Sequence, residues 1–202
     1  MSGDVHVRIR ERLGVKLPRA TRLVILIHAD PRHSWLLKAV DKRLREELAK
    51  LHVQINEEKS RTVDLARGES FGFLGFDFRR VRNLAGRWRP QYAPKLKKRT
   101  ALLQTLREIF RRHRSQPVHW VVEHINPILR GWVNYFAIGY STRCFHFVKR
   151  WVEIKVRRHL MRARKRRGLG WDRWSTQWLH AKLALFNGYR VRRELRKVTS
   201  VA

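Results

Sequence analysis

Lysine and arginine recur in this sequence at a density that lets them act together. Runs at Lys97-Lys98-Arg99, at Arg111-Arg112 and through Arg157, Arg158, Arg162, Arg164, Lys165, Arg166 and Arg167 set positive charge along segments with almost no acid. Residues 79–202 hold 32 Lys or Arg against 5 Asp or Glu, whereas residues 1–78 hold 15 against 11, and the whole chain carries +31. Protonated ammonium and guanidinium groups neither abstract protons nor attack electrophiles. What they do in number is neutralise a polyanion, and nucleic acid is the commonest one. Arg79, Arg80, Arg82, Arg87 and Arg89 add a second basic group around a predicted hairpin.

The residues that could do covalent or metal chemistry do not assemble into a set. His28-x-Asp30-x-x-His33 has ligand types but straddles a proline turn, and no second histidine pair has the helical spacing of a zinc site. His113, His119 and His124 fit either a phosphate-rich site in which they titrate near neutral pH or a surface or helix face. Cys144, the single cysteine, has no ordered His and acid partners and reads as a small buried group; alone it forms no internal disulfide. Asp64, Glu69 and Asp77 lie in and around strands with basic neighbours, where ion pairs explain them. No metal or cofactor is expected.

The elements that must position the cations follow from hydrophobic period. Leu23 to Ile27 is a short, β-branched run that reads as a buried strand. Trp35 to about Leu51 reads as a helix with Leu37, Val40, Leu44, Leu48 and Leu51 on one buried face. Strands are expected at Arg61–Leu65, Phe71–Arg80 and Arg87–Tyr92, with Gly75 marking a bulge or a close backbone approach. After Pro94 the period changes to helical. Helices are expected at Lys95–Arg112, after Pro117 with a kink or break at Pro127, from Ser141 or Thr142 to a stop at Gly168 or Gly170, and from Ser175 to about Phe186. Seven of the eight tryptophans fall after residue 79, so the basic part folds. Trp120, Trp132, Tyr135, Trp151, Trp174 and Trp178 occupy apolar helical positions, where core packing is the expected use and base stacking the alternative. The first twenty residues show no convincing period and read as a leader.

Two segments carry a resemblance. Ile55-Asn56-Glu57-Glu58-Lys59-Ser60, Phe71-Gly72-Phe73-Leu74-Gly75-Phe76-Asp77-Phe78 and Trp88-Arg89-Pro90 resemble the end of the palm and the start of the thumb in bacterial group II intron reverse transcriptases. Pro127-Ile128-Leu129-Arg130-Gly131-Trp132-Val133-Asn134-Tyr135-Phe136, with Trp151 and Arg157-Arg158-His159-Leu160, resembles the maturase domain of the same proteins. In that family a Tyr-Ala-Asp-Asp motif precedes the apolar strand, and its aspartates hold catalytic magnesium. Here Arg19-Ala20-Thr21-Arg22 stands in its place. Thr21 and Arg22 remove both carboxylates, and two-metal chemistry needs anionic oxygen ligands. The fingers and the front of the palm would lie before Met1.

The resemblance implies an α+β, mainly α fold, with a partial palm of a few antiparallel strands and one helix followed by a basic helical thumb and maturase domain. The layout expected is a leader over 1–22 with the degenerate motif, a palm remnant over 23–94, a thumb-like helix over 95–115, a maturase domain over 116–193 and a tail over 194–202. The function expected is binding of structured RNA, group II intron RNA above all, and assistance of its splicing, without reverse-transcriptase catalysis. DNA is a second polyanion the chain could accept. RNA contact is expected at Lys97, Lys98, Arg99, Arg111, Arg112, Arg157, Arg158, Arg162, Arg164, Lys165, Arg166 and Arg167. Competing readings are a reverse-transcriptase fragment completed by a separate palm chain, and a gene remnant without function. No apolar run suits a membrane span or signal peptide, and a cytoplasmic location is expected. The sequence does not fix the oligomeric state.

Overall fold

The apolar run at Leu23 to Ile27 forms the heart of a strand, Arg22–Ala29 (β2), that pairs antiparallel with Asp4–Glu11 (β1) from Asp4 opposite Ala29 to Glu11 opposite Arg22. The computed structural model describes residues 4–11, 22–29, 31–58 and 60–192. β1 also pairs antiparallel with Arg61–Asp64 (β3), so the sheet order is β2-β1-β3. The leader expected over the first twenty residues thus holds the middle strand. Its signal is the alternation of Val5, Val7 and Ile9 with His6, Arg8 and Arg10, a two-residue period hidden by the basic residues between. Thr21 and its two predecessors in the motif lie outside the described residues.

Trp35–Lys50 (α1) follows a 3-10 turn at Pro31–His33. Its apolar stripe is half-buried at best, and Leu51 at its end is 68% exposed. The phenylalanine-rich strand expected over Phe71–Arg80 is instead two strands, Ser70–Phe73 (β4) and Phe76–Arg82 (β5). Leu74 and Gly75 both take positive φ, 46° and 82°, the pattern of a two-residue type I′ hairpin turn. The turn sets Phe73 opposite Phe76 and Phe71 opposite Phe78. That resolves why Phe73 and Phe76 break simple alternation: they are partners across a ladder rather than neighbours along one strand. Trp88–Pro94 (β6) completes this second sheet. Buried Val63 and Phe71 centre a small core with Val24, Leu65, Phe73 and Phe78 packed around them.

The chain divides into two compact units, Met1–Tyr92 and Ala93–Ala202. The second is built from Leu96–Arg112 (α2), Val118–Tyr135 (α3), Thr142–Ala163 (α4) and Thr176–Ala181 (α5). One core joins Leu102, Leu106 and Phe110 of α2, Val121, Ile125 and Leu129 of α3, and Val148, Val152 and Val156 of α4. The fold is α+β and mainly α, as the sequence predicts.

Three helix ends differ from expectation. α3 runs through Pro127 without ending. The proline costs about 3 kcal/mol, while Ile125 and Leu129 on either side are fully buried and contribute about 1.5–3 kcal/mol each by leaving water. α4 ends at Ala163, before the glycines, because Lys165 takes a left-handed φ of 54°. Lys165 N then donates to Arg162 O at 2.8 Å and Arg166 N to Met161 O at 3.0 Å, the paired bonds of a Schellman stop. α5 begins just after Ser175, whose Oγ accepts from Trp178 N at 3.1 Å as its cap, and stops at Ala181 rather than near Phe186. Asn126 of α3 takes over there: its Nδ2 donates to Ala184 O and its Oδ1 accepts from Phe186 N, each at 2.9 Å. That pins the following segment, in which Ala184 takes a left-handed φ of 52° and Leu185 is buried.

Candidate nucleic-acid interface

α2 and α4 bring together cations that lie three and four residues apart in sequence. On α4, Lys155, Arg158 and Arg162 share a face; from α2 and the turn after it come Arg107, Arg111 and Arg114. These six line a groove of about 250 Å³ whose floor includes Phe110 and His159, and among the described residues no carboxylate lines it. The crowding registers on Lys155: desolvation pulls its pKa below the ordinary lysine value, and the charges of Arg158, Arg107 and Arg162 pull the same way. Like charges gathered without an acid leave a place for an anion.

The same seam alternates cations with rings. Arg107 and Lys155 lie 5.8 and 5.3 Å from the centre of the Trp151 ring. Further along, Arg99 sits 4.2 Å from the ring of Phe147, itself 45% exposed. Arg99 also bonds Cys144, whose thiol is pushed up by burial against the opposing pull of that guanidinium. Cys144 is half-buried, in keeping with a packing role. A positive track with an exposed ring beside it is an arrangement that can grip a nucleic-acid backbone and offer a surface to a base.

Arg157 corrects the sequence reading. Its place in the basic run groups it with the phosphate-binding cations, yet its side chain is fully buried. Its Nε donates to Trp174 O at 2.9 Å, one Nη donates to Thr176 Oγ1 at 3.1 Å, and the other lies 3.6 Å from Glu153 Oε2. Burial pushes its pKa down and Glu153 opposes that. Glu153 in turn faces His180 Nε2 at 3.1 Å, while His180 Nδ1 donates to Leu185 O at 3.0 Å. Facing inward, Arg157 ties α4 to α5 and cannot meet a phosphate.

Of the other residues expected to touch RNA, Arg111, Arg158 and Arg162 line the groove. Lys97 and Lys98 are exposed on the first turn of α2, and Arg112 is exposed on its last. Arg164, at the C-cap of α4, lies 5.5 Å from the Trp174 ring. Lys165, Arg166 and Arg167 are exposed beyond the helix end, so the run expected to finish a helix finishes in a turn. Arg107, Arg114, Lys155 and His159 join the groove without standing out in the sequence. The signal for them is periodicity: reading charges at steps of three and four, as for apolar residues, selects 155, 158 and 162 together.

Other candidates settle differently. His113 and His124 pack around Trp120, with ring centres 4.1 and 3.6 Å from the indole. Desolvation, then the charges of His124 and Arg112, lower the pKa of His113. Trp174 is buried, and Trp132, Trp151 and Trp178 pack against the core as expected, whereas Tyr135 is 55% exposed. In the hairpin unit, Arg80 and Arg82 lie 4.7 and 4.8 Å from the Trp88 ring. The His28-x-Asp30-x-x-His33 set falls partly outside the described residues. Among those described, no three His, Cys, Asp or Glu converge on a metal position, and no helix is long and apolar enough to cross a membrane.

Residues 99–178 match the family model described as group II intron, maturase-specific domain. The chain carries a maturase-specific domain. The match begins at Arg99 on the first turn of α2 and ends at Trp178 in α5, so it takes in the α2/α4 groove and the whole Glu153–Arg157–His180 tie except its last member. The cationic seam therefore lies within the matched residues. Comparison with curated proteins gives no match.

Proposed function

We propose that this chain binds structured RNA through its maturase-specific domain, with group II intron RNA as the principal partner, and assists splicing by holding that RNA in shape. The observation that carries this reading is the groove between α2 and α4, where six cations converge without one acid. A helper of an RNA-catalysed reaction needs phosphate neutralisation and shape recognition, and needs no reactive groups of its own. Non-catalytic action is supported by the replacement of the motif aspartates by Thr21 and Arg22 in sequence. The layout that goes with this reading is a palm remnant over 23–94, a thumb-like helix over 95–115 and a maturase domain over 116–193, working in the cytoplasm. DNA is a weaker competitor for the same groove.

The test is filter binding of the purified full chain to a group II intron RNA and to an unrelated RNA of equal length. Tighter binding of the intron, with splicing accelerated at low magnesium, supports the proposal. Equal binding of both RNAs with no effect on splicing overturns it. Primer extension with magnesium checks the non-catalytic part, which any cDNA made by the chain alone would refute.

A further inference from the structure

His159 is 3% exposed and borders the cationic groove. Its Nε2 lies 2.9 Å from Gln116 O. A backbone carbonyl only accepts, so Nε2 carries the proton and donates. In the neutral ring Nδ1 is then left with a lone pair, and Nδ1 has no hydrogen-bond partner. A buried acceptor without a donor is an uncommon feature of folded proteins and marks a place where something is to be supplied. The neighbouring side chains do not supply it, although six of the residues around the groove carry donors.

A phosphate oxygen cannot be the missing partner, because it too only accepts. The group must bring a hydrogen. In a ribonucleotide strand the nearest such group to a backbone phosphate is the 2′-hydroxyl of the adjoining sugar, which both donates and accepts. The groove, at about 250 Å³, is smaller than the roughly 300 Å³ at which pockets for whole small molecules begin. It suits a portion of a chain: one phosphate with its sugar.

Resting on the RNA-binding reading above, the geometry points to His159 as a ribose reader: Nδ1 accepts from a 2′-hydroxyl while Arg107, Lys155, Arg158 and Arg162 hold the adjacent phosphate. The long side chains around the groove part to admit the strand, and His159 stays fixed by its bond to Gln116. The cations provide grip on any nucleic acid, and His159 provides preference for RNA over DNA. The two properties sit in one groove but on different atoms, so they separate experimentally.

The test uses the full-length protein and short unstructured strands of one base sequence made as RNA, as DNA and as 2′-O-methyl RNA, so that helix form and base amino groups do not differ. It is run near pH 8. The wild type is expected to bind RNA roughly 3- to 10-fold tighter than either analogue, the worth of one hydrogen bond. His159→Phe keeps a planar ring and has no acceptor at all; once folded, it is expected to bind all three strands alike while retaining the wild-type salt dependence. Equal binding of the three strands by the wild type, with steep salt dependence, overturns the ribose reading and leaves RNA binding standing; it would mean that a trapped water satisfies Nδ1. Retention of the RNA preference by a folded His159→Phe also overturns it. Failure of the wild type to bind any strand overturns both readings.

Discussion

The guanidinium of Arg157 lies 3.9 Å from the centre of the Trp171 ring, so the most shielded cation of the basic run is roofed by an indole that is itself 43% exposed. Beneath it Glu153 supplies the countercharge. Removing one partner of a buried pair strands the other, at a cost of about 3–5 kcal/mol. Arg157→Ala is therefore expected to destabilise the chain by about that amount in urea unfolding, and Arg157→Lys to restore little because it lacks the planar fork that reaches Trp174 O and Thr176 Oγ1 together. The folded fraction should bind RNA as the wild type does. A loss of affinity with no loss of stability would show that Arg157 reaches the ligand.

Salt dependence separates groove from surroundings. The combined change of Arg107, Arg158 and Arg162 to Ala should flatten the slope of log affinity against log salt by about 0.7 for each phosphate no longer neutralised on single strands, and about 0.9 on duplex. Lys97 and Lys98, exposed outside the groove, should matter less when changed to Ala. Fluorescence anisotropy titrations at several salt concentrations measure both slopes, and identical slopes for the two sets would remove the groove from the interface.

Lys155 couples binding to pH. Its pKa is lowered in the folded chain, so between that lowered value and the ordinary lysine value of 10.5 the unfolded chain binds more protons and stability rises with pH. Below the lowered value the repulsion is fully present. Lys155→Met should accordingly raise thermal stability at neutral pH while weakening RNA binding. Because an anion favours the charged ammonium, RNA binding at alkaline pH should take up protons, which calorimetry in buffers of different ionisation enthalpy detects. No proton uptake there would count against Lys155 as a ligand-facing group.

The stop of α4 rests on a lysine in a left-handed conformation, which costs an L-residue about 1–2 kcal/mol relative to right-handed geometry. Lys165→Gly should stabilise the chain by about 1 kcal/mol, read as a rise in melting temperature, and Lys165→Val should lower it. A neutral outcome for both would mean that the turn is not held in this form in solution.

Asn126 offers a test of the segment after α5. Asn126→Asp keeps the acceptor for Phe186 N and removes the donor to Ala184 O, and Asn126→Ala removes both. Hydrogen exchange at Phe186 is expected to quicken strongly in the alanine variant and weakly in the aspartate one. Unchanged protection in both would show that burial of Leu185 alone holds the segment.

The sequence is most legible where one physical effect dominates. Leu23 to Ile27, the stripe of α1 and the faces of α2, α3 and α4 follow from period and stand as elements in the fold. It is least legible where a backbone conformation decides the outcome. Leu74 and Lys165 both take positive φ, and neither residue type advertises it, so the hairpin turn and the end of α4 fall elsewhere than expected. The early end of α5 depends on Asn126, nearly sixty residues away, and no local pattern reveals such a partner. For the interface, consecutive charges draw the eye toward runs, whereas a helix gathers residues three and four apart. Hence Arg111, Arg158 and Arg162 are legible as groove residues, Arg107, Arg114 and Lys155 are not, and Arg157, beside Arg158 in sequence, faces inward against expectation.

The absence of any carboxylate in the lining of the α2/α4 groove bears on how the protein lives as well as on what it holds. An empty groove keeps six positive groups close together with only solvent between them, so part of the folding free energy is spent on mutual repulsion until a counter-charge arrives. Whatever polyanion docks there acts as a structural component, raising the melting temperature by mass action. On that reading, preparations stripped of nucleic acid should be the fragile ones.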